Sequence, residues 1–373
     1  MNSPVSGGSS QTPHSPHTPR TPLAQTLEYP LNQWYVAAGG PEVGRRPLGR
    51  RLLGKRIVLY RTEAGAVVAM DDWCPHRGFR FSDSRVIGDT VECGYHGMRF
   101  GPDGACTHIP SQESIPATMA VRTYPVVERR DFVWIWPGDA ARCDQALLPP
   151  ALEFDHAALA SGFVGTLEVG ANAAVAMENV IDITHASLLH PGVVDDADKR
   201  ELMTTADEVE NPAPTVIQTT KRFGAIEVKG YLAIQMGVPE GTVVDRIRIA
   251  RQYLPGLHTS ADIWRDVGDT SRIVAIRIRY VGITPQDGRA CLLLAAYSGT
   301  TPYDDAACAR ALATLRQDIV ALEATQAYLE EGGADFREVS VRADRAALMA
   351  RRIIARLHAQ ETGAGGPRGA GVP

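Results

Sequence analysis

No run of apolar residues in this 373-residue chain approaches the ~20 that a membrane-spanning helix needs. The first 25 residues are rich in Ser, Thr and Pro and lack the apolar core of a secretory signal, so neither a membrane span nor export is expected. Basic charge is also short: 38 Lys and Arg stand against 43 Asp and Glu. With a net charge of −5 and no basic run interleaved with aromatics, nucleic acid is not an expected partner. Six cysteines are too few for a disulfide framework in a chain this long, and a reducing cytoplasm is the expected location. Nor is there a glycine-rich dinucleotide fingerprint. Nicotinamide or flavin chemistry would have to come from a second protein.

What is present suggests two domains, because the length is two to three times that of a typical one. Residues 1–25, with His14 and His17, are expected to be a disordered tail. Residues 26–150 read as a β domain of short runs such as 34–38, 56–61, 67–70, 124–127 and 132–138, separated by turn residues. Pro149-Pro150 closes it. Residues 151–362 read as a second domain: a strand at 163–169, a helix, then a large antiparallel sheet including 245–253, 272–281 and 291–297. A long helix follows, with Thr301 as its expected N-cap and Cys308, Leu312, Leu315, Ile319 and Leu322 as its apolar stripe. A last helix is expected over 346–357, and a disordered end over 363–373.

Chemistry first shows at Cys74-Pro75-His76-Arg77-Gly78, answered by Cys93-Gly94-Tyr95-His96-Gly97, with 16 residues between His76 and Cys93. Two thiolates and two imidazoles could hold zinc. Zinc sites usually group Cys with Cys and His with His, whereas here each loop offers one of each. That pairing suits a 2Fe-2S cluster with both thiolates on one iron and both imidazoles on the other, which raises the potential to roughly −150 to +300 mV.

A second constellation lies between residues 172 and 191. Glu178, Asp182 and His185 fall at i, i+4 and i+7, stacked on one face if the helix is continuous. His190 would lie about 140° round from His185, so both reach one metal only if the helix bulges or ends between them, and Pro191 favours an ending. Two imidazoles and one distant carboxylate make a 2-His-1-carboxylate set for Fe(II), with positions left open for dioxygen. Asp318, between Leu315 and Leu322, is the expected carboxylate, although periodicity does not separate it from Glu323. Read blandly, these histidines are a cap and a surface group; the nearby one-electron cluster motif favours the iron reading. Arg251 shares a face with Ile247, Ile249 and Tyr253 and is a candidate for pairing with a substrate carboxylate. A surface ion pair is the competing role. His258 is a candidate for the pocket mouth or an ordinary loop residue.

Taken together, CPHRG, CGYHG, the opening NQWYVAA, VWIWPGD, ENVIDITHASLLH and LRQDIVALEATQ resemble the Rieske non-haem iron oxygenases, in their vanillate O-demethylase-like branch. The resemblance implies an α+β chain: an all-β Rieske domain followed by a helix-grip, START-like catalytic domain with a curved antiparallel sheet. It further implies a 2Fe-2S cluster on Cys74, His76, Cys93 and His96, and Fe2+ on His185, His190 and Asp318. Asn179 is expected near the iron. In a head-to-tail homotrimer, Asp182 is expected to join His185 to His96 of the partner subunit. The implied reaction is monooxygenation with O2, demethylating an O- or N-methyl aromatic substrate with electrons from NAD(P)H through a ferredoxin or flavin reductase. Rivals are a ring-hydroxylating dioxygenase forming cis-diols, a Rieske electron carrier with a non-catalytic binding domain, and a small-molecule sensor. Two departures lie beside the cluster motifs: Arg80-Phe81 where relatives have Pro-Leu, and Met98 where they have Trp.

Overall fold

Two-residue turns organise the first half of the chain. Leu53-Gly54 and Arg130-Asp131 all have positive φ, the backbone form whose twist matches that of the strands on either side. The first joins β2 (Leu48–Leu52) to β3 (Lys55–Arg61), and β4 (Val67–Asp71) completes that sheet. The second joins β9 (Val126–Arg129) to β10 (Phe132–Ile135), and β1 (Tyr35–Gly39) pairs with the other edge of β10. A third antiparallel sheet holds β5 (Arg85–Ile87), β6 (Thr90–Glu92), β7 (Arg99–Phe100) and β8 (Cys106–His108). The computed structural model describes residues 27–150, 159–190, 203–332 and 338–363. The expected tails, Gly363 apart, and the expected start of the second domain at 151 lie outside the described residues.

The second half is one seven-stranded antiparallel sheet in the order β11-β17-β16-β15-β14-β13-β12. Its strands are β11 (Ala160–Val169), β12 (Glu208–Ala213), β13 (Val216–Glu227), β14 (Val243–Tyr253), β15 (Leu257–Asp266), β16 (Ile273–Pro285) and β17 (Cys291–Gly299). Across it lie α1 (Ala173–Ile181), a short α2 (Ala186–Leu189), α3 (Gly230–Met236), α4 (Asp305–Gly332) and α5 (Arg345–Thr362). No described helix is long and apolar enough to cross a membrane, and the six cysteines carry no disulfide.

The halves share a core. Trp34, Tyr35, Phe132 and Trp136 pack in one buried cluster with Tyr253, Leu257, Ile278 and Leu292 of the large sheet. Thr284 Oγ1 donates to the Val36 carbonyl at 2.7 Å, and any Cβ at Gly282 would meet the Val36 side chain at 2.8 Å. The Leu53-Gly54 turn donates both N–H groups to the Pro285 and Gln286 carbonyls at 2.7 Å. The contact between halves is therefore hydrogen-bonded as well as apolar.

Two helix expectations need correcting. Asp304, not Thr301, caps α4, its carboxylate accepting from Ala307 N at 2.7 Å. Tyr303 stacks on Tyr297 of β17, ring centroids 3.5 Å apart, which keeps residues 301–303 against the sheet until the aspartate can start the helix. The helix expected through 172–191 breaks at Asp182, which has extended backbone (φ −92°, ψ 105°). Its carboxylate accepts from Thr184 N at 2.8 Å and Thr184 Oγ1 at 3.0 Å, so a local Asp cap competes with the helix and prevails.

Candidate metal centres and substrate chamber

The two Cys-His loops, one between β4 and β5 and one between β6 and β7, have the same backbone. Cys74 N–H donates to the Phe79 carbonyl and Cys93 N–H to that of Met98, both at 2.8 Å. Gly78 N–H returns to the Cys74 carbonyl at 2.8 Å and Gly97 N–H to that of Cys93 at 2.9 Å. Both glycines close the turn in the left-handed region, at φ +73° and +72°, where a Cβ is disfavoured. Equivalent loops thus present Cys first and His third or fourth. The two imidazole centroids are 4.6 Å apart.

This donor set fits an iron–sulfur cluster. Cys74 and Cys93 are each 2% exposed and face one another. Burial, and after it the neighbouring Cys93, pushes the Cys74 thiol up to about 11, so ionisation there needs a metal cation. His76 Nδ1 is buried without a hydrogen-bond partner, as expected of a nitrogen kept for a metal. His96 is exposed, with Tyr95 packed on it at 3.8 Å, so the imidazole end faces outward. The two departures form the floor beneath the loops: Phe81 is fully buried 5.2 Å from Phe100, and Met98 is buried in the same cluster.

The other centre is built by α1 and α4 running antiparallel. Asn172 caps α1 and also bonds Gln326 Oε1 of α4 through its amide at 2.8 Å. Two turns along α1, Asn179 Nδ2 donates to Asp318 Oδ1 at 3.3 Å. Seven residues on one helix thus match eight on the other, a register that brings Asp318 to the break in α1. Glu323, the alternative carboxylate, instead accepts from Gly170 N at 2.9 Å near the far end. His185 Nε2 and His190 Nε2 each lie 3.3 Å from Asp318 Oδ1, and the ligand atoms of all three fall within 4.8 Å of one another.

Proton positions make these residues a fit for a cation. His185 Nδ1 is 2.6 Å from the Asp182 carbonyl and His190 Nδ1 is 2.9 Å from Gln317 Oε1, two oxygens that only accept. Both protons therefore sit on Nδ1, and both Nε2 lone pairs point at a carboxylate oxygen. Three converging acceptors call for a positive ion, and 3.3 Å is close to the spacing of adjacent ligands about 2.1 Å from a metal. His190 is the C-cap of α2, so the helix does end between the two histidines.

Comparison with known proteins agrees with both centres. The Rieske 2Fe-2S domain family matches residues 33–125, and the vanillate O-demethylase oxygenase C-terminal domain family matches residues 169–360, more than half of the chain. This chain belongs to the Rieske oxygenases of the vanillate O-demethylase type. The dicamba O-demethylase oxygenase component of Stenotrophomonas maltophilia is 31% identical over 258 residues, 68% of each chain. The vanillate O-demethylase oxygenase subunit of Pseudomonas sp. (strain HR199 / DSM 7063) is 35% identical over 63% of this chain and 65% of its own length. A crystal structure of dicamba monooxygenase bound to 3,6-dichlorosalicylic acid superposes with a TM-score of 0.77 at 27% identity, covering 89% of this chain and 98% of that one. The protein is thus the oxygenase component of a multicomponent monooxygenase system, an oxidoreductase with a Rieske cluster and non-haem iron.

In this oxygenase the iron-site residues open on a cavity of about 430 Å³ between the sheet and α4. Its charged wall was not foreseen. Along β14 the even-numbered side chains Arg246 and Arg248 line the cavity, whereas Arg251 lies on the opposite face with its Nε on Gln218 Oε1 at 2.7 Å. Arg251 is therefore not a wall residue; the apolar odd positions pointed to the wrong side of the strand. The reason is Asp262 of β15, fully buried, which compensates inward-facing arginines. His258 does line the cavity, with Nδ1 3.2 Å from Gln252 Oε1. Burial, then Arg248 and Arg279, push it down to about 3, so it is neutral at pH 7.

Glu178 is not stacked with Asp182 and His185 but pairs with Arg351 of α5, buried at 5% side-chain exposure. The Asp182 carboxylate caps Thr184 within the chain, and it is the Asp182 carbonyl that orients His185. Gln317, unremarked in the sequence, orients His190. Its position next to Asp318 on an inward-facing helix was the available signal.

Proposed function

We propose that this oxygenase demethylates an O- or N-methyl aromatic acid, releasing formaldehyde. The observation that carries the reading is the opening of the His185–His190–Asp318 group onto an arginine-walled chamber. When bound, a 2Fe-2S cluster on Cys74, His76, Cys93 and His96 supplies single electrons, and Fe2+ on His185, His190 and Asp318 supplies dioxygen activation.

The chain's own residues do the rest. Asp182 and Gln317 hold the imidazoles in one tautomer, and Asn179 steadies the Asp318 carboxylate from the chamber side. Apolar side chains such as Val164, Ile183 and Leu315 limit water, while the arginine wall orients an acid group. We assign the chain to a head-to-tail homotrimer in the cytoplasm, in which Asp182 meets the partner subunit's His96. Two facts support that contact: His96 is exposed, and Asp182 lies at the break beside His185. A separate NAD(P)H-dependent reductase, through a ferredoxin or flavin, feeds the cluster.

With a surrogate reductase, methoxylated and N-methylated aromatic acids are expected to drive NADH-dependent oxygen uptake with one formaldehyde per turnover. A cis-diol product would make it a dioxygenase instead; no ligand-dependent oxygen uptake would sink the enzyme reading. Asp182→Asn is expected to retain both metal centres yet lose turnover.

A further inference from the structure

Four arginines surround Asp262 on the chamber side of the sheet. In register, Arg248 and Arg277 sit directly across from it on the two neighbouring strands. Arg246 and Arg279 occupy diagonal positions on those same strands. The Asp262 carboxylate is already saturated. Oδ1 takes Arg246 Nε at 3.1 Å and Nη2 at 2.9 Å, and Oδ2 takes Arg277 Nη2 at 2.9 Å and Arg279 Nη2 at 3.0 Å. Nothing is left for Arg248. Its guanidinium lines the cavity at 8% residue exposure and forms no hydrogen bond or ion pair with any described residue.

Arg279 is paired but keeps donor capacity to spare. It shares Asp262 Oδ2 with Arg277, reaches Ser260 Oγ at 3.1 Å, and keeps a buried Nε–H with no acceptor. Burial, then the crowd of guanidiniums, depresses both: Arg248 to about 9 and Arg279 below its usual range. Both remain charged at neutral pH, and an anion at each would relieve that strain. Among the described residues the only carboxylate lining the chamber is Asp318, which is engaged with the imidazoles.

We propose that the substrate carries two anionic groups, carboxylate or sulfonate, one received by Arg248 and the other by Arg279. This rests on the chamber being the substrate site of the proposed demethylase, and it deepens that reading. A single acid group would leave the four guanidiniums facing only two carboxylates, Asp262 and its own, with the Arg279 Nε–H still lacking an acceptor. Asp262 is a positioning residue: it fixes Arg279 and, by using all its own acceptor capacity, leaves Arg248 for the ligand.

The test is equilibrium binding by calorimetry to the iron-loaded, full-length protein under nitrogen without reductase, so that no turnover contributes. Anisole, 4-methoxybenzoate and 4-methoxyphthalate offer zero, one and two carboxylates on one methoxylated ring. The dianion is expected to bind at least about tenfold more tightly than the monoanion, and the monoanion more tightly than anisole. Arg248→Gln and Arg279→Gln should each bring the dianion to the monoanion's affinity, while Arg248→Lys, which keeps the charge, retains most of the preference and controls for folding. Equal affinity of monoanion and dianion, or an unchanged preference in Arg248→Gln, overturns the proposal. Because binding is read without oxygen or electrons, that failure is distinct from a failure to demethylate.

Discussion

The cluster loops and the iron site position their ligands by opposite means. Each cluster ligand sits in a six-residue turn closed by its own backbone, so Cys74 and His76 are placed by Phe79 and Gly78, and Cys93 and His96 by Met98 and Gly97. Around the iron ligands, apart from the local Asp182 carbonyl that orients His185, the contacts that matter are long-range and between side chains: Asn179 to Asp318, His190 to Gln317 and Asn172 to Gln326. A turn-built site depends on local geometry, whereas a site built between helices depends on register. The first should tolerate changes elsewhere, and the second should answer to them.

The sharpest break in this comparison is removal of one ligand from each side. Asp318→Ala or His185→Ala should release iron and lower turnover about a thousandfold or more, with the visible absorbance of the cluster unchanged. Cys93→Ser should do the reverse, losing the cluster and keeping ferrous-ion binding. If either variant loses both metals, the two centres are not independently folded.

Next in size is Asp262→Asn, which strikes a long-range network away from either metal. Leaving buried guanidiniums without their carboxylate should cost about 3–5 kcal/mol of stability, measured by urea unfolding. Burial would raise the Asp262 carboxyl, but Arg246 and its three companions hold it well below the ordinary range. A depressed folded-state pKa means the contribution is present above the unfolded value of about 3.9 and lost as pH falls below it. The gap between wild type and Asp262→Asn should therefore hold steady from pH 7 to pH 5 and narrow in stronger acid.

What was legible in the sequence follows the same division. CPHRG and CGYHG carry their geometry within themselves, including the glycine each turn requires. The first-half strands at 34–38, 56–61, 67–70, 124–127 and 132–138 were readable as apolar runs between turn residues, whereas β5 to β8, two or three residues each and flanking the second loop, were too short to show a pattern. Strand β15 was not, since His258, Thr259, Ser260 and Asp262 make it look like a loop although it is buried nearly throughout. The same buried charge misled the reading of Arg251. Asp318 could be favoured over Glu323 but not separated from it, because the deciding fact is the α1–α4 register. The break at Asp182 was locally encoded: Asp182-Ile183-Thr184 pairs a capping side chain with two β-branched residues, a weak helix segment beside a strong local alternative.

Smaller effects sharpen the contrast further. Gly78→Ala and Gly97→Ala each force a Cβ into the left-handed region and should cost about 1–2 kcal/mol. Gly97→Ala is the larger because its Cβ would also meet Pro110 Cγ at 3.2 Å, whereas nothing lies within 4 Å at Gly78. Cluster content measured by absorbance should fall in both and iron binding in neither.

The smallest expected change tests whether the iron site is held by the middle of α4 or by the whole helix. Asp304→Ala removes the cap on Ala307 N and should cost about 1 kcal/mol through fraying of the first turn. Asp318 lies fourteen residues on, about 21 Å along the axis, and is tied locally by Asn179 and by the neighbouring Gln317–His190 bond. Iron affinity and turnover should therefore stay within about twofold of wild type while the unfolding midpoint drops. Weaker iron binding in Asp304→Ala would mean that the register of α4 against α1 is set from its end. The contrast between a local site and a register-dependent one would then be stronger than the mid-helix contacts alone imply.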